Sequence, residues 1–148
     1  MASKSEEEFR KLTVELRFLE QTAEAIQSRL NMINAVTTDL TYASMALEEL
    51  GKEKENAELL VPVGGSSYVK ARLGNADKLI MGIGAGVSVE KTLPEAKDIV
   101  KKRLEDLAKA KLSLQQQFGQ VVDKINEDRA KLEKQVAEMR EGKPSENV

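Results

Sequence analysis

From Phe9 to Leu47 apolar residues recur every three or four positions without a gap: Phe9, Leu12, Leu16, Leu19, Ala23, Ile26, Leu30, Ile33, Thr37, Leu40, Ser44 and Leu47. Only Thr37 and Ser44 are polar. A 3.5-residue repeat held this long specifies a coiled-coil helix rather than a short surface helix. The spacing predicts a helix over about residues 6–50. Ser5 is its expected cap, with Glu8 three residues on to close a capping box. Glu6, Glu7 and Glu8 suit the positive end of the helix dipole. Gly51 is expected just past the end, where glycine is favoured.

A second seam mirrors the first: Leu93, Val100, Leu104, Leu107, Lys111, Leu114, Phe118, Val121, Ile125, Asp128, Leu132, Gln135 and Met139. Lys111, Asp128 and Gln135 interrupt it. Thr92-Leu93-Pro94-Glu95 supplies a capping box with proline in the first turn. Gly142 and Pro144 are expected to stop this helix, which gives about residues 93–141, with flexible ends at 1–4 and 143–148. Helices of near-equal length predict an antiparallel pair, with Leu47 near Ala96 and Leu12 near Lys131 and Leu132. The whole chain, 1–148, reads as a single domain.

Between the helices period two replaces period 3.5. "LLVPV" (59–63), "SYVKARL" (67–73), "KLIMGI" (78–83) and "VSVEK" (87–91) are short and rich in β-branched residues. Gly64-Gly65, Gly74-Asn75-Ala76-Asp77 and Gly84-Ala85-Gly86 separate them, which predicts two tandem β-hairpins over about residues 58–91. Pro62 cannot donate to a ladder, so its strand should lie at an edge or be unpaired there. The expected fold class is mainly α with a small β region: an antiparallel two-helix coiled coil connected by two β-hairpins.

The glycines at 82, 84 and 86 raise the question of a nucleotide site. A dinucleotide fingerprint needs a helix starting at the glycines, so that its amino end meets the phosphate. Here Val87-Ser88-Val89-Glu90 alternates as a strand does, and no Gly-Lys-Ser/Thr follows. Gly84 and Gly86 are expected to form a hairpin turn, with Gly82 permitting close backbone approach. The chain has no histidine and no cysteine, which removes the usual general base, the commonest metal ligand and thiolate chemistry. No catalytic residue, metal site or cofactor is expected, and the protein reads as a non-enzyme. Its 23 basic and 25 acidic residues leave a net charge of −2, with no electrostatic pull toward nucleic acid or an anionic membrane. No apolar run approaches the ~20 residues of a membrane span, so a cytoplasmic location is expected.

Four short strands bury little alone, and their open edges invite pairing with another chain. The hairpins are therefore expected to complete their sheet with other subunits, through Val61, Val63, Val69, Ala71, Leu73, Leu79, Met81, Ile83, Val87 and Val89. The alternative is that they fold onto the helices of their own chain. Met32, Val36, Tyr42 and Met45 lie off the first seam, where either local packing or a subunit contact would explain them. At the other end, Val14 and Phe18 also lie off the seam, four residues apart. Together with Phe9, Leu12, Leu16, Leu19, Leu132, Val136 and Met139 they form an apolar cluster at a wet end, which marks either an aggregation risk or a binding surface, with ordinary seam packing and frayed ends as the alternative.

"ELLVPVGGSSYVKARLGNADKLIMGIGAGVSVEKTLPEA", residues 58–96, resembles the central region of the prefoldin alpha-subunit family. "LLVPVGGSSYV" and "IGAGVSVEKT" carry the likeness most specifically, and the second hairpin separates the alpha from the beta class. The resemblance implies an archaeal-type, ATP-independent holdase. Two alpha and four beta subunits would join hairpins into β-barrels, with coiled-coil arms whose tips hold unfolded protein and pass it to a group II chaperonin. Carried over by position, the hairpins are the assembly region and the helix ends the client region. A filament-forming, alpha-like relative with a structural role is the alternative.

Overall fold

The structure is a computed structural model that describes residues 3–146, with side chains described as far as Glu141. Its elements run in the order α1 (Lys4–Lys52), β1 (Glu58–Gly64), β2 (Ser67–Arg72), β3 (Lys78–Gly84), β4 (Val87–Thr92) and α2 (Leu93–Glu146). The chain divides into two compact units, residues 1–34 with 109–148, and residues 35–108.

The first unit is a pair of antiparallel helical segments. Residue numbers rise along α1 as they fall along α2: Gln135 Nε2 donates to Glu8 Oε2 at 3.2 Å, and Arg129 Nη2 meets Glu20 Oε1 at 3.1 Å. Leu12 and Lys131 line one groove, as the expected register requires. Leu16, Ile26, Leu30 and Ile125 are buried between the helices. Seam positions Phe9, Leu12, Leu19, Leu132 and Gln135 are half-buried, whereas Met139 is exposed.

Both helix ends differ from expectation. The α1 cap is Ser3, whose Oγ accepts the Glu6 amide at 3.3 Å. Ser3 and Glu6 have the same Ser-x-x-Glu spacing as Ser5 and Glu8, and the chain uses the earlier pair. Helix α2 does not stop before Gly142; it runs through Pro144 to Glu146. Proline's fixed φ is itself helical, so it costs the last turn a hydrogen bond without unwinding it. Of the ends expected to be flexible, residues 1, 2, 147 and 148 lie outside the described residues.

The second unit joins the remaining helical segments to the hairpins. Ala96 and Val100 are its buried residues, and Lys97 Nζ meets Glu48 Oε1 at 3.4 Å, next to the expected Leu47–Ala96 neighbours. Gly51 lies inside the last turn of α1 rather than beyond it. A Cβ there would come within 3.2 Å of Leu93 Cδ2, so the glycine serves close helix approach instead of a left-handed cap. The left-handed residue is Asn56 (φ 69°), in the turn before β1. At the start of α2 the expected cap is present, with Thr92 Oγ1 accepting the Glu95 amide at 3.3 Å.

The hairpins form two separate two-stranded antiparallel sheets, β1–β2 and β3–β4. Their registers repeat twenty residues apart. Val61 pairs with Val69 and Pro62 with Tyr68; Met81 pairs with Val89 and Gly82 with Ser88. Each register then shifts, at Val63 in β1 and at Ile83 in β3. The turns repeat too, with positive φ at Gly64, Gly65 and Ser66, and at Gly84, Ala85 and Gly86. The paired positive φ values of each two-residue turn match the twist of the flanking strands. Gly84 has φ 114°, where a side chain is strained although nothing lies within 4 Å of a Cβ placed there. Gly84→Ala should therefore loosen β3–β4 by about 1 kcal/mol or more, seen as faster amide exchange in those strands alone. Unchanged exchange would mean the turn relaxes to accept the methyl group. Gly82, expected to permit close approach, has open space at its Cβ. Its importance lies in its carbonyl, which accepts Arg103 Nη2 of α2 at 2.8 Å and ties the second hairpin to that helix.

Candidate functional site

Two surfaces collect the apolar side chains that the sequence singles out. The first lies on the helical segments carrying the chain termini. Its coiled-coil seam takes Leu16 inward to 8 % exposure, while Phe9, Leu12, Leu19, Leu132 and Val136 remain half-buried. Phe9, Leu132 and Val136 line one open groove with Ala137, Arg140 and the polar Glu133 and Glu141. Leu16 is thus removed from the accessible set by packing. Val14 and Phe18 point the other way, at 68 % and 66 % exposure. Four residues apart, they share one helix face, and with Arg10, Lys11 and Glu15 they border a shallow, largely apolar surface. Their flanking charges keep the helix hydrated while leaving the valine and the phenyl ring uncovered.

Beneath this surface the seam carries a charge. Asp128 is fully buried, and neither carboxylate oxygen has a hydrogen-bond partner. Its neighbour is Lys124, whose Nζ lies 3.5 Å from Asp128 Oδ1, 3.4 Å from Glu127 Oε2 and 3.9 Å from Glu15 Oε1. The carboxylates of Asp128 first, then Glu127 and more weakly Glu15, raise the Lys124 ammonium above the ordinary lysine value, against a small opposing effect of burial. The sequence marks Asp128 only as an interruption of the repeat.

The second surface is the pair of hairpins. Alternation places Val61, Val69, Ala71 and Leu73 on one face of the first, and Leu79, Met81 and Val89 on the matching face of the second. Ala71, Leu73, Leu79, Met81 and Val89 are half-buried, whereas Val61, Val63, Val69, Ile83 and Val87 are exposed. Val63 and Ile83 sit at the register shifts and do not follow the strict alternation. The opposite faces also carry large apolar side chains, Leu60, Tyr68 and Ile80, all exposed. Met32, Val36, Tyr42 and Met45 of α1 are exposed as well, so packing by their own strands does not explain them. Among the described residues no three His, Cys, Asp or Glu side chains are grouped to hold a metal ion. No helix among the described residues is long and apolar enough to cross a membrane.

Two long helices with two β-hairpins in their connection make this a coiled-coil subunit with a hairpin region. The family model described as "Prefoldin subunit" matches residues 4–140, and the chain belongs to the prefoldin family. Among curated relatives, a prefoldin subunit alpha of Methanococcoides burtonii is 32 % identical over 85 % of this chain and 83 % of its own. One of Methanosarcina barkeri is 38 % identical over 74 % of this chain and 78 % of its own. Among solved structures, a filamentous PFD from Methanocaldococcus jannaschii, determined by cryo-EM, superposes with a TM-score of 0.70. It shares 23 % identity, and the match covers 80 % of this chain and 98 % of that one. The fold expected from the two seams and the period-two segments is the fold observed.

Proposed function

We propose that this chain is an alpha-type subunit of an ATP-independent cytoplasmic holdase. It binds unfolded or nascent protein on the helical surface near its termini and passes it to a group II chaperonin. The observation that carries this reading is the exposure of Val14 and Phe18 beside seam residues Phe9, Leu12, Leu16 and Leu19, which are half-buried or buried. Unfolded chains present mixed apolar side chains, and a shallow surface with little shape of its own accepts many of them. Several weak contacts on several arms raise the effective concentration of each, so no deep pocket is required. Phe9, Leu132, Val136 and Met139 add a second apolar face to this set, with the half-buried Leu12 and Leu19, whereas Leu16 is packed inward and does not take part. The hairpins join this chain to beta subunits, two alpha to four beta, through the residues from Val61 to Val89.

Val14→Ser with Phe18→Ser is expected to weaken suppression of client aggregation severalfold without changing helicity or assembly. Full burial of one such side chain is worth roughly 1.5–3 kcal/mol, and partial burial less. If the double variant in complex with wild-type beta subunits holds clients as well as the parent, the beta arms carry the clients.

A second reading is a filament-forming, alpha-like subunit with a structural role. The likeness to a filamentous PFD favours it. Native mass of the chain alone and with a beta subunit separates the two: a defined hetero-oligomer supports the first, an open-ended polymer the second.

A further inference from the structure

The outer face of α1 carries a second periodic stripe. Val14, Phe18, Gln21, Ala25, Ser28 and Met32 each stand two residues beyond a seam residue, from Leu12 to Leu30. At about 100° per residue, that step turns them away from α2. All six are exposed and none is charged. Their spacing alternates four and three, a 3.5-residue repeat of their own. The same positions of α2, two beyond each seam residue, show what a merely hydrated face carries. They include Lys109, Asp123, Glu127 and Lys134, all exposed. On α1 the charges stand to either side of the stripe instead, at Arg10, Glu15, Arg17, Glu24 and Arg29. Glu15 is 3.9 Å from the Lys124 ammonium, which it shares with Glu127 and Asp128. Among the described residues no ion pair takes Arg10, Glu24 or Arg29.

We propose that this stripe is a second coiled-coil seam, on which α1 of a second copy of this chain packs parallel and in register. Charge selects both the partner and its direction. In a parallel pair, the residue preceding one layer meets the residue five positions later on its mate. Arg10 then meets Glu15 and Glu24 meets Arg29, each twice by symmetry, while Arg17 meets the neutral Thr22. No like charges are opposed. Antiparallel pairing about the same six residues keeps Glu15 against Arg29 but sets Glu24 against Glu24. A parallel slip of one heptad sets Arg17 against Arg29. In the favoured register Val14, Phe18 and Met32 each pack against their own counterparts. Gln21 and Ser28 form polar layers, which fix register at a cost in stability. The contact is therefore weak and reversible. One consequence rests on the reading of Val14 and Phe18 as client-binding residues, although the pairing itself does not. On that reading a second copy and an unfolded client compete for one face, and paired arms are closed to clients.

Disulfide trapping tests this on the full chain, with helicity by circular dichroism as the folding control. The chain has no cysteine, so one introduced thiol reports one contact. In the parallel, in-register pair Ser28 faces Ser28, and Ser28→Cys should give a disulfide-linked dimer under mild oxidation. Ser113→Cys, on the outer face of α2, should link about tenfold more slowly, because nothing raises the local concentration of its thiol. Adding Glu24→Arg to the Ser28→Cys chain opposes it to Arg29 of each mate and should slow linkage about three- to thirty-fold. Arg29→Glu should slow it likewise. The two charge variants mixed in equal amounts should link to each other at close to the parent rate, because each then supplies the charge that the other lacks. The proposal is overturned if Ser28→Cys links no faster than Ser113→Cys, or if the reversals leave the rate unchanged. Preferential linkage of the Ser28→Cys chain to a Phe18→Cys chain would overturn it in favour of antiparallel pairing. Client aggregation measured on linked and reduced samples keeps the two readings apart. Linked chains that hold clients as well as reduced ones count against Val14 and Phe18 as client residues, and the pairing stands.

Discussion

Asp128→Leu should raise the melting temperature. A fully buried carboxylate with neither oxygen hydrogen-bonded loses its hydration, and one partly exposed lysine 3.5 Å away compensates incompletely. Replacing buried ionic groups with apolar side chains of similar size is often stabilising by about 1–4 kcal/mol. For a chain of this length each kcal/mol moves the midpoint by roughly 4 °C. The leucine also restores the apolar repeat between Ile125 and Leu132. Lys124→Met is the counterpart and should destabilise, because it leaves the carboxylate buried without its cation. Loss of stability in the Asp128→Leu chain would show that the carboxylate is better satisfied than its surroundings indicate. Alkaline titration gives the sign independently. The folded chain raises the Lys124 pKa above its ordinary 10.5. Its contribution is therefore complete below the unfolded value and is lost as pH rises through the folded one. The parent should lose this stability at the alkaline end, and the Lys124→Met chain should not.

The second large effect is expected at the hairpins. Val69→Asp with Met81→Asp places carboxylates on the apolar faces of both sheets. Within a single chain the cost is small at Val69, which is exposed, and moderate at Met81, which is half-buried. Inside a sheet completed by another subunit both carboxylates would be buried and unpaired, at several kcal/mol each. Native mass should fall to that of the isolated chain while the helical signal of α1 and α2 persists. An intact assembly carrying both substitutions would show that these faces remain wet, and the shared-sheet reading would have to be given up.

The seam was legible because a 3.5-residue period is a property of sequence alone. Of its predicted positions only Met139 ends exposed. The strands were legible to within a residue because glycine pairs and β-branched runs are local signals, and their turns adopt the positive φ that those glycines permit. What stayed hidden depends on distance rather than pattern. Arg103 reads as one more helix cation until the fold brings it to Gly82, twenty-one residues away. Asp128 reads as a flaw in a repeat, and only packing shows that no water reaches it. Ser3 could have been found, since Ser3 and Glu6 match the capping pattern as well as Ser5 and Glu8 do. Alternation groups the residues of each strand by face without ranking the two faces, and only the fold shows that Leu60, Tyr68 and Ile80 stand exposed on the other one.

The hairpins are one device made twice: the same shift of register at Val63 and Ile83, the same turn geometry, and a first strand obstructed at Pro62 and again at Gly82. If the hairpins are the assembly region, adding or losing a copy would change a subunit's valence by one while the length of the helices stayed as it was. On that reading valence and helix length are encoded in separate stretches of this sequence, and each can drift without dragging the other along.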